Sequence, residues 1–286
     1  MNDNYYSPQG FSILPPAVKN ILIINGLFFL ATIAAQRFGI DMYGLFGLHF
    51  YESELFHPHQ FITYMFMHGN FGHLFFNMFA LWMFGSAIEN YWGSKRFLIY
   101  YFITGIGAAI AHYAIVAWEL IPALRYIDAC IADPTVANIQ ALAQHHRFAF
   151  DGFNSELALG FEHFKQYVTQ LESGVNTAEA KSAVNEYLIQ YREYYVSRPN
   201  IVGASGSVFG LLLAFGMMFP NSLIYVYFLI PVKAKWFVIV YGLIELIYGI
   251  SGTADGVAHF AHLGGMLFGL LLILYWKKKA KQHWEY

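Results

Sequence analysis

Charge is scarce in this chain. Only 12% of its 286 residues are Asp, Glu, Lys or Arg, about half the share of a soluble globular domain. The net charge is −2, so the basic excess that nucleic-acid binding needs is missing and no nucleic-acid partner is expected. Cysteine is nearly absent. Cys130 stands alone, which excludes an internal disulfide and leaves a free thiol, an intermolecular partner or inert packing. The segment Met1–Lys19 has neither the charged start and cleavage site of a signal peptide nor an Arg-rich transit helix. The first apolar span is therefore expected to stay uncleaved and serve as the insertion signal. In place of charge, 57% of the residues are apolar and 19% aromatic. That balance points to a chain whose solvent is lipid.

Six apolar segments are candidates to cross the bilayer: Val18–Ala35, Phe71–Tyr91, Phe97–Ile121, Ile201–Phe219, Trp236–Ile250 and Val257–Trp276. A crossing helix needs about 20 residues, and the first and fifth fall short. The run Leu223–Val232 contains Pro231 and reads as a loop against the membrane face or an extension of the fifth helix.

With six spans both termini share one side. Lys19, Lys95, Arg96, Lys233, Lys235, Lys277, Lys278, Lys279 and Lys281 fall on that side, and the opposite short loops carry only Arg37. The positive-inside rule places both termini in the cytoplasm.

Residues 122–200 differ from the rest. They are polar, with helical spacing of apolar residues over Val136–His146, Glu156–Glu172 and Thr177–Tyr195. Asp133-Pro134, Asp151-Gly152 and Ser173-Gly174 punctuate them as turns. The fold class expected is an all-α membrane bundle of six helices with a helical extracytoplasmic insertion between spans three and four. Residues 1–121 and 201–286 would form one domain and 122–200 the insertion.

Three places carry candidate chemistry. Gly203-Ala204-Ser205-Gly206 opens the fourth span, where free backbone N–H groups and the positive end of the helix dipole gather. Gly203 and Gly206 remove bulk around the Ser205 hydroxyl. Gly206 and Gly210 make a GxxxG pair that lets another helix approach. Simple small-residue packing explains this motif equally well. On the sixth span, His262 lies on one stripe with Gly265 and Gly269, so the glycine faces of spans four and six would meet and bring His262 towards Ser205. His259, one turn earlier, is a rival base, and either histidine could instead be a buried side chain satisfied by a carbonyl. At the start of the second span, His73 and Asn77 share a face, and glycines 69 and 72 free His68 to turn inward. Two imidazoles and an amide can donate to an oxyanion. Interhelical hydrogen bonding is the plainer alternative. A metal site is not expected, since Asn is a poor ligand and no Cys or carboxylate joins them.

Taken together these motifs resemble the rhomboid intramembrane serine proteases. That family carries a Gly-x-Ser-Gly nucleophile on its fourth helix, a histidine followed by spaced glycines on its sixth and a His-x(4)-His-x(3)-Asn pattern on its second. Here they read as Gly203–Gly206, His262 to Gly269, and His68, His73 and Asn77. Glu89 and Gly93-Ser94-Lys95-Arg96 look like the family's second-helix end and cytoplasmic turn. The resemblance implies a Ser205–His262 dyad without an Asp, with no cofactor. It implies an oxyanion hole from His68, Asn77 and the Ser205 backbone N–H, supported by His73. Phe209 would stack on His262 where many relatives have Tyr. Transmembrane protein substrates, a lipid bilayer and a bacterial inner-membrane location follow by the same resemblance. The oligomeric state is open.

Two departures stand out. His59-Gln60 occupies the place of a Trp-Arg pair found in some relatives, and the insertion of nearly 80 residues replaces a short connection. Two other functions compete. An inactive rhomboid-like protein that binds membrane clients would be expected to lack Ser205 or His262. A polytopic transporter would draw support from Glu245 in span five, but no internal repeat accompanies it.

Overall fold

A computed structural model describes residues 11–150, 155–226, 229–252 and 257–282. The expected Asp151-Gly152 turn lies outside the described residues.

Helix α1 (Pro16–Gln36) starts with proline at its first position, where no intrahelical N–H is lost. The short helix α2 (Met42–Phe46), the two-residue strand β1 (Leu48–His49) and the one-turn helix α3 (Gln60–Thr63) follow. The second span runs from α4 (Phe71–Ala80) through a π-helical segment, Leu81–Gly85, into α5 (Ser86–Trp92). Helix α6 (Ser94–Ala132) is the longest. Three helices of the polar region come next: α7 (Val136–His145), α8 (Ser155–Ser173) and α9 (Thr177–Ser197). After strand β2 (Asn200–Ile201), the chain forms α10 (Ser205–Met218), strands β3 (Leu223–Val226) and β4 (Ile230–Lys233), α11 (Ala234–Ser251) and α12 (His259–Gln282).

Five of these segments are long and apolar enough to cross a membrane: Pro16–Gln36, Phe71–Trp92, Ser94–Ala132, Ala234–Ser251 and His259–Lys279. The fourth of the anticipated spans is shorter than its apolar run. Gly203 adopts φ 124°, outside the helical region, so the helix begins at Ser205 and has 14 residues. Most of α10 is buried. In contrast α1 exposes Ile23, Leu27, Leu30 and Ile33, and α11 exposes Ile239, Val240, Leu243, Ile247 and Ile250. Such surfaces suit hydrocarbon, in which every backbone polar group is met inside its own helix.

The structure departs from the sequence pattern at two places. Span three does not stop at Ile121, because α6 continues through Pro122 to Ala132. Proline costs one intrahelical bond, yet Leu120, Ala123, Leu124, Ile127 and Cys130 keep a helical spacing of buried positions on either side of it. The run Leu223–Val232 is neither a plain loop nor a helical extension. It supplies an antiparallel pair in which Leu223 opposes Lys233 and Tyr225 opposes Pro231. In a two-stranded ladder every strand is an edge, and an edge strand tolerates the missing proline N–H.

The chain divides into two units: Met1–Leu48, His57–Tyr113 and Ile201–Tyr286 make one, His49–Phe56 and Ala114–Asn200 the other. In the first, the Glu89 carboxylate accepts from the backbone N–H groups of Ala17 (2.9 Å) and Val18 (2.8 Å) and from the Ser94 hydroxyl (2.6 Å). A buried acid from α5 thus caps the N-terminus of α1, where N–H groups lack intrahelical partners and the dipole favours a negative charge.

The second unit is built around Ile127 and Cys130 of α6, Ile139 and Leu142 of α7, Phe164 and Leu171 of α8, and Val184, Leu188 and Tyr191 of α9. Cys130 is fully buried, a small apolar group in this core. His146 meets the Tyr191 hydroxyl at 2.7 Å. Burial, and to a lesser degree Arg198, push the His146 pKa below its ordinary value. Arg192 bridges Asp128 and Glu52, and the Ser53 and Ser197 hydroxyls lie 2.7 Å apart. The unit therefore reaches beyond the compositional boundary at Pro122, taking in His49–Phe56 and the end of the third span.

Candidate active site

The site is assembled where α10 begins. Gly203 donates its N–H to the Tyr64 carbonyl at 2.9 Å, which pins the approach to the helix. A Cβ at Gly203 would press on the His73 ring, so the close passage of this loop over α4 needs glycine, as does its positive φ. Ser205 is the first residue of α10 and is half-buried. Its neighbour Ser207 points the other way and donates to the Tyr101 carbonyl at 2.7 Å.

Helix α12 brings His262 to Ser205. The imidazole Nε2 lies 2.9 Å from Ser205 Oγ. The His262 ring stacks on Phe209, centroids 4.1 Å apart and planes 6° from parallel. Tyr241 of α11 stacks on Phe209 in turn at 5.4 Å. The closeness rests on glycine. A Cβ on Gly265 would overlap the Gly206 carbonyl oxygen, and one on Gly206 would overlap Ala108 of α6. Gly210 and Gly269 behave differently from the sequence expectation. They face α6, Gly210 against Thr104 and Gly269 against the Tyr100 hydroxyl, which donates to the Gly210 carbonyl at 2.8 Å. The direct glycine meeting of α10 and α12 is Gly206 on Gly265.

Behind His262 stands a residue the motif reading left outside the site. Glu245 of α11 is buried, and its Oε2 lies 2.8 Å from His262 Nδ1 and 2.8 Å from His259 Nδ1. The rival base His259 thus turns a nitrogen to Glu245, while His262 takes Ser205. The ligand atoms of Glu245, His259 and His262 lie within 4.8 Å of one another, a spacing open to a metal ion. Two nitrogens each 2.8 Å from one oxygen are equally the geometry of two N–H···O bonds, which fills the space between them with protons. The available sequence signal was an acid alone in an apolar helix, a costly placement that marks function, together with two histidines at i and i+3 on the next span.

His68, His73 and Asn77 cluster at the start of α4. Asn70 caps that helix, its side chain accepting from His73 N–H at 2.8 Å. His68 is buried, its ring centroid 5.1 Å from that of His73, and neither of its ring nitrogens has a well-formed hydrogen bond among the described residues. The Asn77 amide donates to the His73 carbonyl at 2.8 Å, leaving its second N–H. Among the described residues neither His68 nor Asn77 is hydrogen-bonded to Ser205. The structure therefore gathers Gly203, Ser205, Gly206, Phe209, His262, Gly265 and His73 in direct contact, with His68 and Asn77 beside His73.

The loop between the first and second spans is held by His59 and Gln60. Gln60, wholly buried, donates from its amide to the Gly44 carbonyl at 3.1 Å, and His59 Nε2 meets the Leu45 carbonyl at 3.0 Å.

Comparison with known proteins agrees in kind. The family model described as Rhomboid domain matches residues 55–121 and 168–279, and the gap between falls in the polar region. Over 70 residues the chain is 36% identical to rhomboid protease GluP of Bacillus subtilis (strain 168), covering 24% of this chain and 14% of that one. Over 104 residues it is 31% identical to the chloroplastic rhomboid-like protein 11 of Arabidopsis thaliana, covering 34% of each. The chain thus spans about a third or less of the length of these curated relatives. The family match covers His68, Ser205 and His262, and this multi-pass membrane protein belongs to the rhomboid family.

Proposed function

We propose that the chain is an intramembrane serine endopeptidase that cleaves transmembrane segments of other proteins, with Ser205 as nucleophile and His262 as general base. The observation that carries the reading is the 2.9 Å approach of His262 Nε2 to Ser205 Oγ. A serine hydroxyl becomes a useful nucleophile when an adjacent base takes its proton as it attacks. The His262 ring, stacked on Phe209, is held in the plane that transfer needs. As the tetrahedral intermediate collapses, the imidazolium gives its proton to the leaving amine and the acyl-enzyme forms; water then repeats the cycle on the acyl-enzyme.

The developing oxyanion would be met by the free N–H at the start of α10 and by donors from His68 and Asn77. A His68 ring with no well-formed hydrogen bond of its own suits that role. A transmembrane substrate must first unwind, because its scissile carbonyls are engaged in intrahelical bonds. The positive-inside rule applied to the basic residues supports cytoplasmic termini, and α10 would then enter from the outer side with Ser205 near that boundary. The polar region 122–200 would then lie outside and serve substrate selection rather than chemistry. A client-binding protein without activity would have no use for a paired Ser205 and His262.

The test uses the full chain in detergent or liposomes. A fluorophosphonate should label Ser205 in the wild type, which should also cleave a model transmembrane substrate. Ser205→Ala and His262→Ala should each abolish cleavage, and the double variant should be no worse than either, because the two act as a unit. Wild-type cleavage by Ser205→Ala would end the protease reading.

A further inference from the structure

We propose that Glu245 is a positioning residue for the Ser205–His262 pair, converting the implied dyad into an acid–histidine–serine triad built across α10, α11 and α12. The inference rests on the protease reading above. Glu245 is a buried carboxylate in a helix that buries only Ala234 and Val238 besides. The other buried acid among the described residues, Glu89, is used on backbone N–H groups. The hydrogen bonds found for Glu245 go to two imidazoles.

The chemistry follows from which His262 nitrogen carries the proton. A carboxylate accepts and cannot donate. Oε2 at 2.8 Å therefore assigns the proton to His262 Nδ1, and the lone pair to Nε2, which faces Ser205 Oγ at 2.9 Å. This is the tautomer able to accept the serine proton. When the proton moves, the ring becomes an imidazolium with a negative charge already in contact. Glu245 and His262 are both buried, and between buried groups such preorganised charge acts strongly. His259 binds the same oxygen and so fixes Glu245 from its far side. Among the described residues Glu245 is not hydrogen-bonded to Ser205, and it would act through His262.

The other titratable groups within electrostatic reach of His262 are His73 on α4 and His112 on α6, with His259 on its own helix. All are imidazoles, and Glu245 is the negative charge in hydrogen-bond contact with the ring. The acid limb of kcat/KM reports the base of the free enzyme. Removing the carboxylate should destabilise the imidazolium and move that limb to lower pH.

The experiment compares wild type with Glu245→Gln on a transmembrane substrate across pH, with fluorophosphonate labelling in parallel. Replacing the acid of a Ser–His–Asp triad by its amide lowers kcat by about 10⁴-fold, through the wrong tautomer. For Glu245→Gln we expect a fall in kcat of about 10²–10⁴-fold, little change in KM, slower probe labelling and an acid limb displaced downward. Should that variant not fold, Glu245→Met with His259→Phe replaces the buried polar pair by apolar groups of similar volume, an exchange proteins often tolerate. It should show the same kcat loss. A variant that folds and keeps the wild-type kcat and acid limb overturns the proposal while leaving the protease reading intact. A wild type that neither cleaves nor labels would instead remove the reading on which it rests. Loss of wild-type activity on treatment with a chelator would assign the three groups to a metal and overturn it as well.

Discussion

At the scale of single residues, Ser205 and His262 were legible because each sits in a short local pattern. A small-residue turn marks the helix start, and a histidine with glycines at helical spacing marks the facing stripe. Glu245 was visible as an oddity but not as a partner. Its contact joins two spans, and nothing local encodes the rotation of α11 about its axis. The pattern at 68–77 is intermediate. It was readable as a cluster, yet Asn77 partly engages its own helix through the His73 carbonyl. If His68 and Asn77 supply the oxyanion donors, His68→Ala and Asn77→Ala should each lower kcat by about 10²–10³-fold. Ser205 should remain reactive towards a small fluorophosphonate. The measurement is turnover beside labelling rate, and wild-type turnover in both variants would make the pair structural.

At the scale of elements, glycine decides how near two helices come. Gly265 on α12 meets the backbone of Gly206 on α10 with no room for a methyl group. A backbone carbonyl cannot swing aside as a long side chain can, so Gly265→Ala must push the helices apart. Overpacking of this kind costs about 1–3 kcal/mol, and the same displacement would lengthen the 2.9 Å Ser205–His262 approach. A lowered Tm in detergent and loss of probe labelling are expected together. Gly26→Ala on α1 is the control, since nothing lies within 4 Å of a Cβ there; it should melt at or above the wild type. A Gly265→Ala protein with wild-type Tm and labelling would show that the contact relaxes freely. The elements themselves were mostly readable from hydropathy. The exceptions have local causes: a positive φ that delays α10, a proline that α6 absorbs, and a proline-bearing run that pairs as strands.

At the scale of the whole molecule, charge asymmetry was legible while the boundary of the polar unit was not. Composition changes at Pro122, but packing recruits His49–Phe56 from the loop between the first two spans, through Arg192 on Glu52 and Ser197 on Ser53. Such long-range pairing leaves no compositional trace. The asymmetry itself gives a topological test. With the buried Cys130 replaced by Ala, single cysteines are placed at the exposed positions Ser173 and Lys279. A membrane-impermeant maleimide applied to intact spheroplasts should label Ser173→Cys, and should reach Lys279→Cys only after permeabilisation. The reverse pattern would invert the orientation drawn from the positive-inside rule.

The carboxylate that caps α1 has a consequence in time. A membrane protein is made from its N-terminus, and helices insert before they associate. Helix α1 is complete long before Glu89 is translated, so its first N–H groups must wait uncapped among water and headgroups. The cap arrives with the end of the second span, and Ser94 of the following turn then bonds to the same carboxylate. Docking of the first helix is thereby tied to completion of the second. A pause in synthesis before residue 89 would leave α1 inserted but unlatched, free to wander in the bilayer until the rest of the hairpin emerges.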